Sequence, residues 1–95
     1  MKLSKKLWSA ITDDLDHCIE CGGPKEQIHH CLYGTKRKHA DEDRLTVPLC
    51  ASCHNRLHNT DHSLALKYMR IAQATYEESH GHAVYMERYG KNYLD

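Results

Sequence analysis

The chain has no phenylalanine and a single tryptophan, Trp8, and its apolar residues come in short runs. A 95-residue domain so poor in large apolar side chains can bury only a modest core, and small domains of this kind need a staple. No stretch approaches the roughly 20 consecutive apolar residues of a membrane span. Lysines break the apolar runs between Met1 and Ile11, so a secretory segment is not expected either. An excess of positive charge is also missing, since Lys plus Arg and Asp plus Glu both number 13. Nucleic-acid binders are commonly basic, so affinity for a polyanion here has to come from a local patch and a bound cation. The one such patch, Lys36-Arg37-Lys38-His39, is offset by Asp41-Glu42-Asp43 and by itself reads as a solvated loop.

What the chain does have is cysteine and histidine in a particular order. Cys18-x-x-Cys21 and, much later, Cys50-x-x-Cys53 are the usual spacing for four thiolates around one tetrahedral zinc. Five cysteines, an odd number in paired CxxC form, favour zinc in a reducing cytoplasm over disulfides. Four thiolates close the tetrahedron, so this zinc is structural, and such an ion supplies on the order of 10–16 kcal/mol of apparent folding free energy. Cys31 is left over and reads as a small buried strand residue.

The expected architecture is small α+β, a single domain over residues 1–95 in three zones. Leu3, Leu7, Trp8, Ile11 and Leu15 in residues 1–16 repeat at helical spacing and predict a short amphipathic helix packed on the metal module. Residues 17–60 are that module. It comprises a glycine-bearing knuckle at Cys18–Pro24, a strand from Gln27 to Tyr33, a polar loop from Gly34 to Asp43, a strand from Arg44 to Leu49, and a helix from Cys50 to about Asn59. Residues 61–95 form a helical tail. Asp61 caps the first helix, Leu64, Ala65, Tyr68, Ile71, Ala72, Thr75 and Tyr76 form its apolar stripe, and Gly81 ends it in the αL manner. A second short helix, His82 to Tyr89, stops at Gly90.

His54 and His58, at i and i+4, share one helix face and form a natural clamp for a divalent ion, with Cys53 fixing where that helix starts. His29 and His30 are neighbours on a strand and point to opposite faces. Both serve one site only if the strand is irregular or if one is a ligand and the other reaches in from the side. An isolated pair of either kind would read as ordinary polar residues; the four together, beside a zinc knuckle, suggest hydrolytic metal chemistry.

His29-His30, the Val-Pro-Leu-Cys-x-x-Cys-His run and His58 resemble the HNH (ββα-metal, His-Me finger) endonuclease family over about residues 17–60. Tyr33-Gly34-Thr35-x-Arg37-Lys38 and the closing Tyr89-Gly90-Lys91-Asn92-Tyr93-Leu94 extend the likeness to small phage-encoded HNH proteins. The resemblance implies a ββα-metal module stapled by the four-cysteine zinc, and a metal-dependent endonuclease that hydrolyses DNA phosphodiester bonds to 5′-phosphate and 3′-hydroxyl ends. By position it makes His30 the general base, and His29, His54 and His58 ligands of one catalytic divalent ion (Mn, Ni, Zn or Mg). Arg37 or Arg56 is then the phosphate-binding side chain. The family's middle Asn falls at Leu45, so Asp43, a main-chain carbonyl, Asn55 or Asn59 has to orient the base. The implied setting is the cytoplasm of a bacterial or phage-infected cell, with DNA as partner, no membrane, and a homodimer or a phage protein as the further partner. The competing expectation is a non-catalytic zinc-stabilised module that binds DNA or protein.

Overall fold

The computed structural model describes residues 9–32 and 34–94 of the chain. Strands β1 (Gln27–His30) and β2 (Thr46–Leu49) form a two-stranded antiparallel sheet, accompanied by helices α1 (Arg37–Glu42), α2 (Ala51–Asn59), α3 (His62–His80) and α4 (His82–Tyr89). The fold is therefore small α+β. Both strands are shorter than expected. Their register sets Gln27 opposite Leu49, Ile28 opposite Pro48, His29 opposite Val47 and His30 opposite Thr46. Pro48, which has no N–H to give, is tolerated because its backbone polar edge faces the knuckle and not β1: its carbonyl accepts from Ile19 N at 2.9 Å. That bond docks the Cys18–Pro24 knuckle onto β2. The knuckle itself closes through Cys18 N to Gly23 O (2.7 Å) and Gly22 N to Cys18 O (2.9 Å), with Gly22 at φ +83° where a side chain would be strained.

The amphipathic helix expected over residues 1–16 is not formed in its described part, and Leu3, Leu7 and Trp8 lie outside the described residues. Residues 9–16 run as bends. Short polar side chains bond to the backbone there: Thr12 Oγ1 accepts from Asp14 N (3.2 Å) and Asp14 Oδ1 from Asp16 N (2.9 Å), which competes with helical pairing. Ser9 Oγ donates to Thr46 O at 2.6 Å and Ala10 N to Arg44 O at 2.8 Å, which fastens the start of this segment where the chain enters β2.

The expected polar loop over residues 34–43 is also revised: a 3-10 turn (Gly34–Lys36) leads into α1. Only Ala40 of α1 is buried, so no apolar period announces the helix. Its end is a Schellman motif, in which Leu45 N donates to Ala40 O (2.9 Å) and Arg44 N to Asp41 O (3.2 Å). Arg44 takes the left-handed position at φ +59°, and buried Leu45 turns the chain into β2.

The helical tail follows expectation more closely. Asp61 Oδ1 accepts from Leu64 N at 3.3 Å as the cap of α3, and Leu64, Ala65, Tyr68, Ala72 and Tyr76 are buried, with Ile71 packed partly against them. The stripe also contains a residue that periodicity assigns to no apolar face: Gln73 is fully buried. Its amide donates to Glu77 Oε2 (2.8 Å) and Asn92 Oδ1 (2.7 Å), and its carbonyl accepts from Tyr93 N (2.7 Å), tying the chain end to α3. Gly81 has φ +87° and ψ 162°, so it ends α3 with an extended glycine conformation rather than an αL one, and it begins α4 at the same residue. Gly90 is αL as expected. Tyr68, Tyr76, Tyr85 and Tyr89 are buried, the last two stacked at 5.2 Å, so the tail's tyrosines build the core that phenylalanine would otherwise supply. Among the described residues no helix is long and apolar enough to cross a membrane.

Replacing Gln73 by Leu should lower unfolding free energy by about 1–3 kcal/mol, because Tyr93 N and Asn92 lose buried partners that an apolar side chain cannot replace. Urea denaturation of the zinc-loaded protein measures this, and an unchanged midpoint would mean that Gln73 does not fasten the chain end.

Candidate metal centre

Two clusters of metal-ligating side chains form among the described residues, and they share one helix. Cys18, Cys21, Cys50 and Cys53 bring their sulfurs within 4.8 Å of one another, and so do the ring nitrogens of His29, His54 and His58.

Knuckle and α2 build the cysteine cluster. Cys50 is the N-cap of α2, and its sulfur accepts from Cys53 N at 3.4 Å. The Cys21 and Cys50 sulfurs are 3.7 Å apart. Two thiolates about 2.3 Å from one zinc at a near-tetrahedral angle would be about 3.8 Å apart, so the spacing fits that ion. Burial raises the Cys18 thiol, yet bonds from the Cys50, Cys21 and Glu20 amides outweigh it and bring the group down to about 6. Burial and the neighbouring cysteines push Cys53 up. Sulfurs this close do not all ionise unless a cation offsets them, which is what a divalent ion supplies. The cluster is suited to a metal such as zinc. Glu20, inside the knuckle, accepts from Tyr68 Oη (2.6 Å) and Lys67 Nζ (3.0 Å), which ties the centre to α3. Cys31 lies outside the cluster and is fully buried, with its thiol pushed up by burial, as expected of a packing residue.

The second cluster draws on β1 and α2. His54 and His58, one turn apart, place their Nε2 atoms 3.2 Å from each other. Two imidazole nitrogens about 2.05 Å from a common ion at a near-tetrahedral angle would be about 3.3 Å apart. His29 enters from the strand, its ring edge-on to both, with centroids at 5.1 Å and 5.3 Å. It is only 3% exposed. Burial, then the charges of His54, His58 and His30, lower its pKa to about 3, so the ring is neutral at physiological pH, the form that ligates a metal. Burial and His58 lower His54 as well.

Strand alternation sends His30 to the other side from His29, as expected, and His30 is outside the ligand trio. It still lines the same cleft, about 270 Å³, with Ile28, His29, Arg37, His54 and His58. β1 is an edge strand, so a side chain on either of its faces can reach the cleft. His30 Nε2 lies 3.0 Å from Asp41 Oδ1, and that contact holds the Asp41 carboxyl below its usual range.

Two expected roles are corrected. Asp43 does not orient His30. Its carboxylate accepts from Arg88 Nε (2.6 Å) and Tyr89 Oη (2.6 Å), joining the end of α1 to α4. Asp41 is the carboxylate on His30, and only the unforeseen helix α1 separates the two acids onto different sides. Arg56 does not line the cleft; it pairs with Glu20 (3.7 Å) and Asp61 (3.8 Å), leaving Arg37 as the cleft's arginine. Asn55 and Asn59 bond to each other on α2, not to His30. Sequence reasoning also missed Gln27, whose side-chain oxygen contacts His54 Nδ1. Its signal was available, since Gln27 and His29 are two apart on one strand and so share a face.

No protein-family model, curated protein or solved structure matches this chain.

Cys53→Ser should leave the chain largely unfolded and short of its tightly held zinc, whereas His58→Ala should keep the fold and lose only a second, weaker ion. Metal analysis with circular dichroism reads both, and equal unfolding of the two variants would contradict separate centres. Asp43→Ala should cost about 2–3 kcal/mol of stability through the stranded Arg88 and Tyr89. Asp41→Ala, on a solvated side chain, should cost less than about 1 kcal/mol. Thermal or urea melts that rank the two the other way round would refute these assignments.

Proposed function

We propose that β1, β2 and α2 form a ββα-metal nuclease module, stapled by the four-cysteine zinc, that hydrolyses DNA phosphodiester bonds. The observation that carries the reading is the arrangement of four histidines around one cleft: three bring ring nitrogens within 4.8 Å of one another, and His30 stands beside them on a carboxylate. A packing or purely structural role calls for no such fourth ring.

His29, His54 and His58 would hold one divalent cation. Their all-imidazole set favours Zn, Ni, Co or Mn over Mg, which prefers oxygen. When bound, that ion supplies charge stabilisation at a phosphate oxygen and at the departing 3′ oxygen. The protein's own groups do the rest. Asp41 accepts from His30 Nε2–H, which leaves the Nδ1 lone pair to take a proton from water. The water oxygen forms the new bond to phosphorus in line with the 3′ oxygen, whose bond breaks with its electron pair; that oxygen takes a proton from solvent, His30 returns its proton to solvent, and the products are a 5′-phosphate and a 3′-hydroxyl. Arg37, on the cleft wall, holds the backbone phosphate by charge-assisted hydrogen bonds. Such contacts position the duplex and carry no sequence information. A single cleft of this kind cuts one strand at a time, so nicking is the expected activity, with a second copy or another protein needed for double-strand cleavage. The reading places the protein with DNA in a cytoplasm, bacterial or phage-infected.

The balanced formal charge favours the competing reading, a zinc-stabilised module that binds DNA or protein without cutting. Supercoiled plasmid with Mn, Co, Ni, Zn or Mg separates the two. Metal-dependent nicking should fall by about 10²–10⁴-fold in His30→Ala with both ions retained, and by about 10–100-fold in Asp41→Ala. A protein that binds two ions and shifts DNA, yet cuts with none of these metals, is a binding module.

A further inference from the structure

The start of strand β1 and the residue before it reach across to α2 with two successive polar side chains. Glu26 Oε1 accepts from Ala51 N, the first helical amide of α2, at 2.8 Å. Gln27 Oε1 meets Nδ1 of His54, one turn further along. Pairing with Leu49, the last residue of β2, holds Gln27 beside the point where the chain leaves the sheet for Cys50 and α2. Strand alternation gives Gln27 the same face as His29. One strand face thus carries both a ligand of the histidine cluster and a group that touches a second ligand from behind.

The chemistry of that contact has a direction. A carboxamide oxygen can only accept, so Nδ1 of His54 has to carry the hydrogen. Neutral imidazole has one hydrogen, and Nε2 is then left with a lone pair. Nε2 is the atom that faces His58 Nε2 across 3.2 Å, where a shared ion would sit. Free neutral histidine favours the opposite tautomer, with its hydrogen on Nε2, and in that form His54 could not ligate through this atom. With the carboxamide reversed, its NH2 would donate to Nδ1 and enforce that unproductive form.

We propose that Gln27 is a positioning residue of the histidine centre, selecting the Nδ1–H tautomer of His54 and aiming its Nε2 at the metal. The inference rests on the reading of His29, His54 and His58 as a metal centre, and does not require that the centre cut DNA. Hydrogen-bonded partners behind ligating histidines commonly carry about 10–100-fold in metal affinity.

The test uses the full chain with zinc already in the cysteine centre, titrated with Co2+ and followed by the visible absorption of the ion. Gln27→Met, similar in shape but unable to accept a strong hydrogen bond, should weaken Co2+ binding by about 10–100-fold with circular dichroism and tightly held zinc unchanged. Gln27→Glu, which accepts only, should restore affinity to within a few-fold of wild type. Long-range 15N spectra recorded before cobalt is added should show Nδ1–H at His54 in wild type and Gln27→Glu, and a shift toward Nε2–H in Gln27→Met. Equal cobalt affinity in wild type and Gln27→Met overturns the role of Gln27 and leaves the centre standing. Weakening that Gln27→Glu does not rescue, or that comes with altered circular dichroism, makes the contact structural and also overturns it. A wild type that takes up no cobalt beyond the cysteine centre overturns the histidine centre itself, and this inference with it.

Discussion

Convergence of four cysteine sulfurs from two distant parts of the chain is the constraint on which the rest of the structure depends. The sheet has four residues per strand, and two-stranded sheets are marginal alone. The knuckle holds them through Cys50, which ends the β2 segment, caps α2 and offers a metal ligand at once. Because Cys50 and Cys53 fix both the start and the rotation of α2, the directions of His54 and His58 follow. Successive helical residues are about 100° apart, so Cys53 can face the thiol cluster while His54 faces the cleft. Leu57, fully buried, seals the side between them, and Arg56 is carried away to Glu20 and Asp61.

The same geometry sends two neighbouring acidic residues to different partners. Asp41 and Asp43 are two positions apart at the end of α1, about 200° around a helix. One meets His30 and remains mostly in water; the other is drawn into a half-buried arrangement with Arg88 and Tyr89. The exposed pair adds little stability, and what it contributes is the orientation of a ring. The tyrosine-rich tail supplies the complementary bulk. Tyr89 stacks on Tyr85 and meets Tyr76 edge-on, Tyr76 and Tyr85 are tilted against each other, and Tyr68 reaches Glu20 in the knuckle, so the tail's core and the cysteine centre are mechanically joined.

The histidine cleft therefore combines groups held by different means. His54 and His58 are fixed by a helix that starts at the cysteine cluster, His29 by strand pairing and burial, and His30 by an aspartate from a helix that packs beside β1. Proposed ligands and proposed base have separate supports. That separation keeps the fourth imidazole available for proton transfer under the proposed function.

Spacing along the chain determined a good part of this. CxxC repeats, HxxxH at helical pitch, adjacent histidines on a strand, the Asp61 cap and the glycine stops at residues 81 and 90 are local signals. Each works over a few residues, and the two clusters and the tail helices are found where those signals put them. Tertiary structure alone decided what depends on approach between distant segments. Helix α1 carries one buried residue, too little for a periodic pattern, so the choice of Asp41 over Asp43 could not be read before its axis was fixed. Residues 9–16 have helical spacing of their apolar residues, but local side-chain bonds and a bond from Ala10 N to Arg44 O take the backbone instead. Gln73 looks like a break in an apolar stripe until the returning chain end supplies its partners. A sequence determines which side chains are able to ligate, accept or donate; which of them meet is settled by packing, because a hydrogen bond or a coordination shell is a matter of tenths of an ångström between residues far apart in the chain.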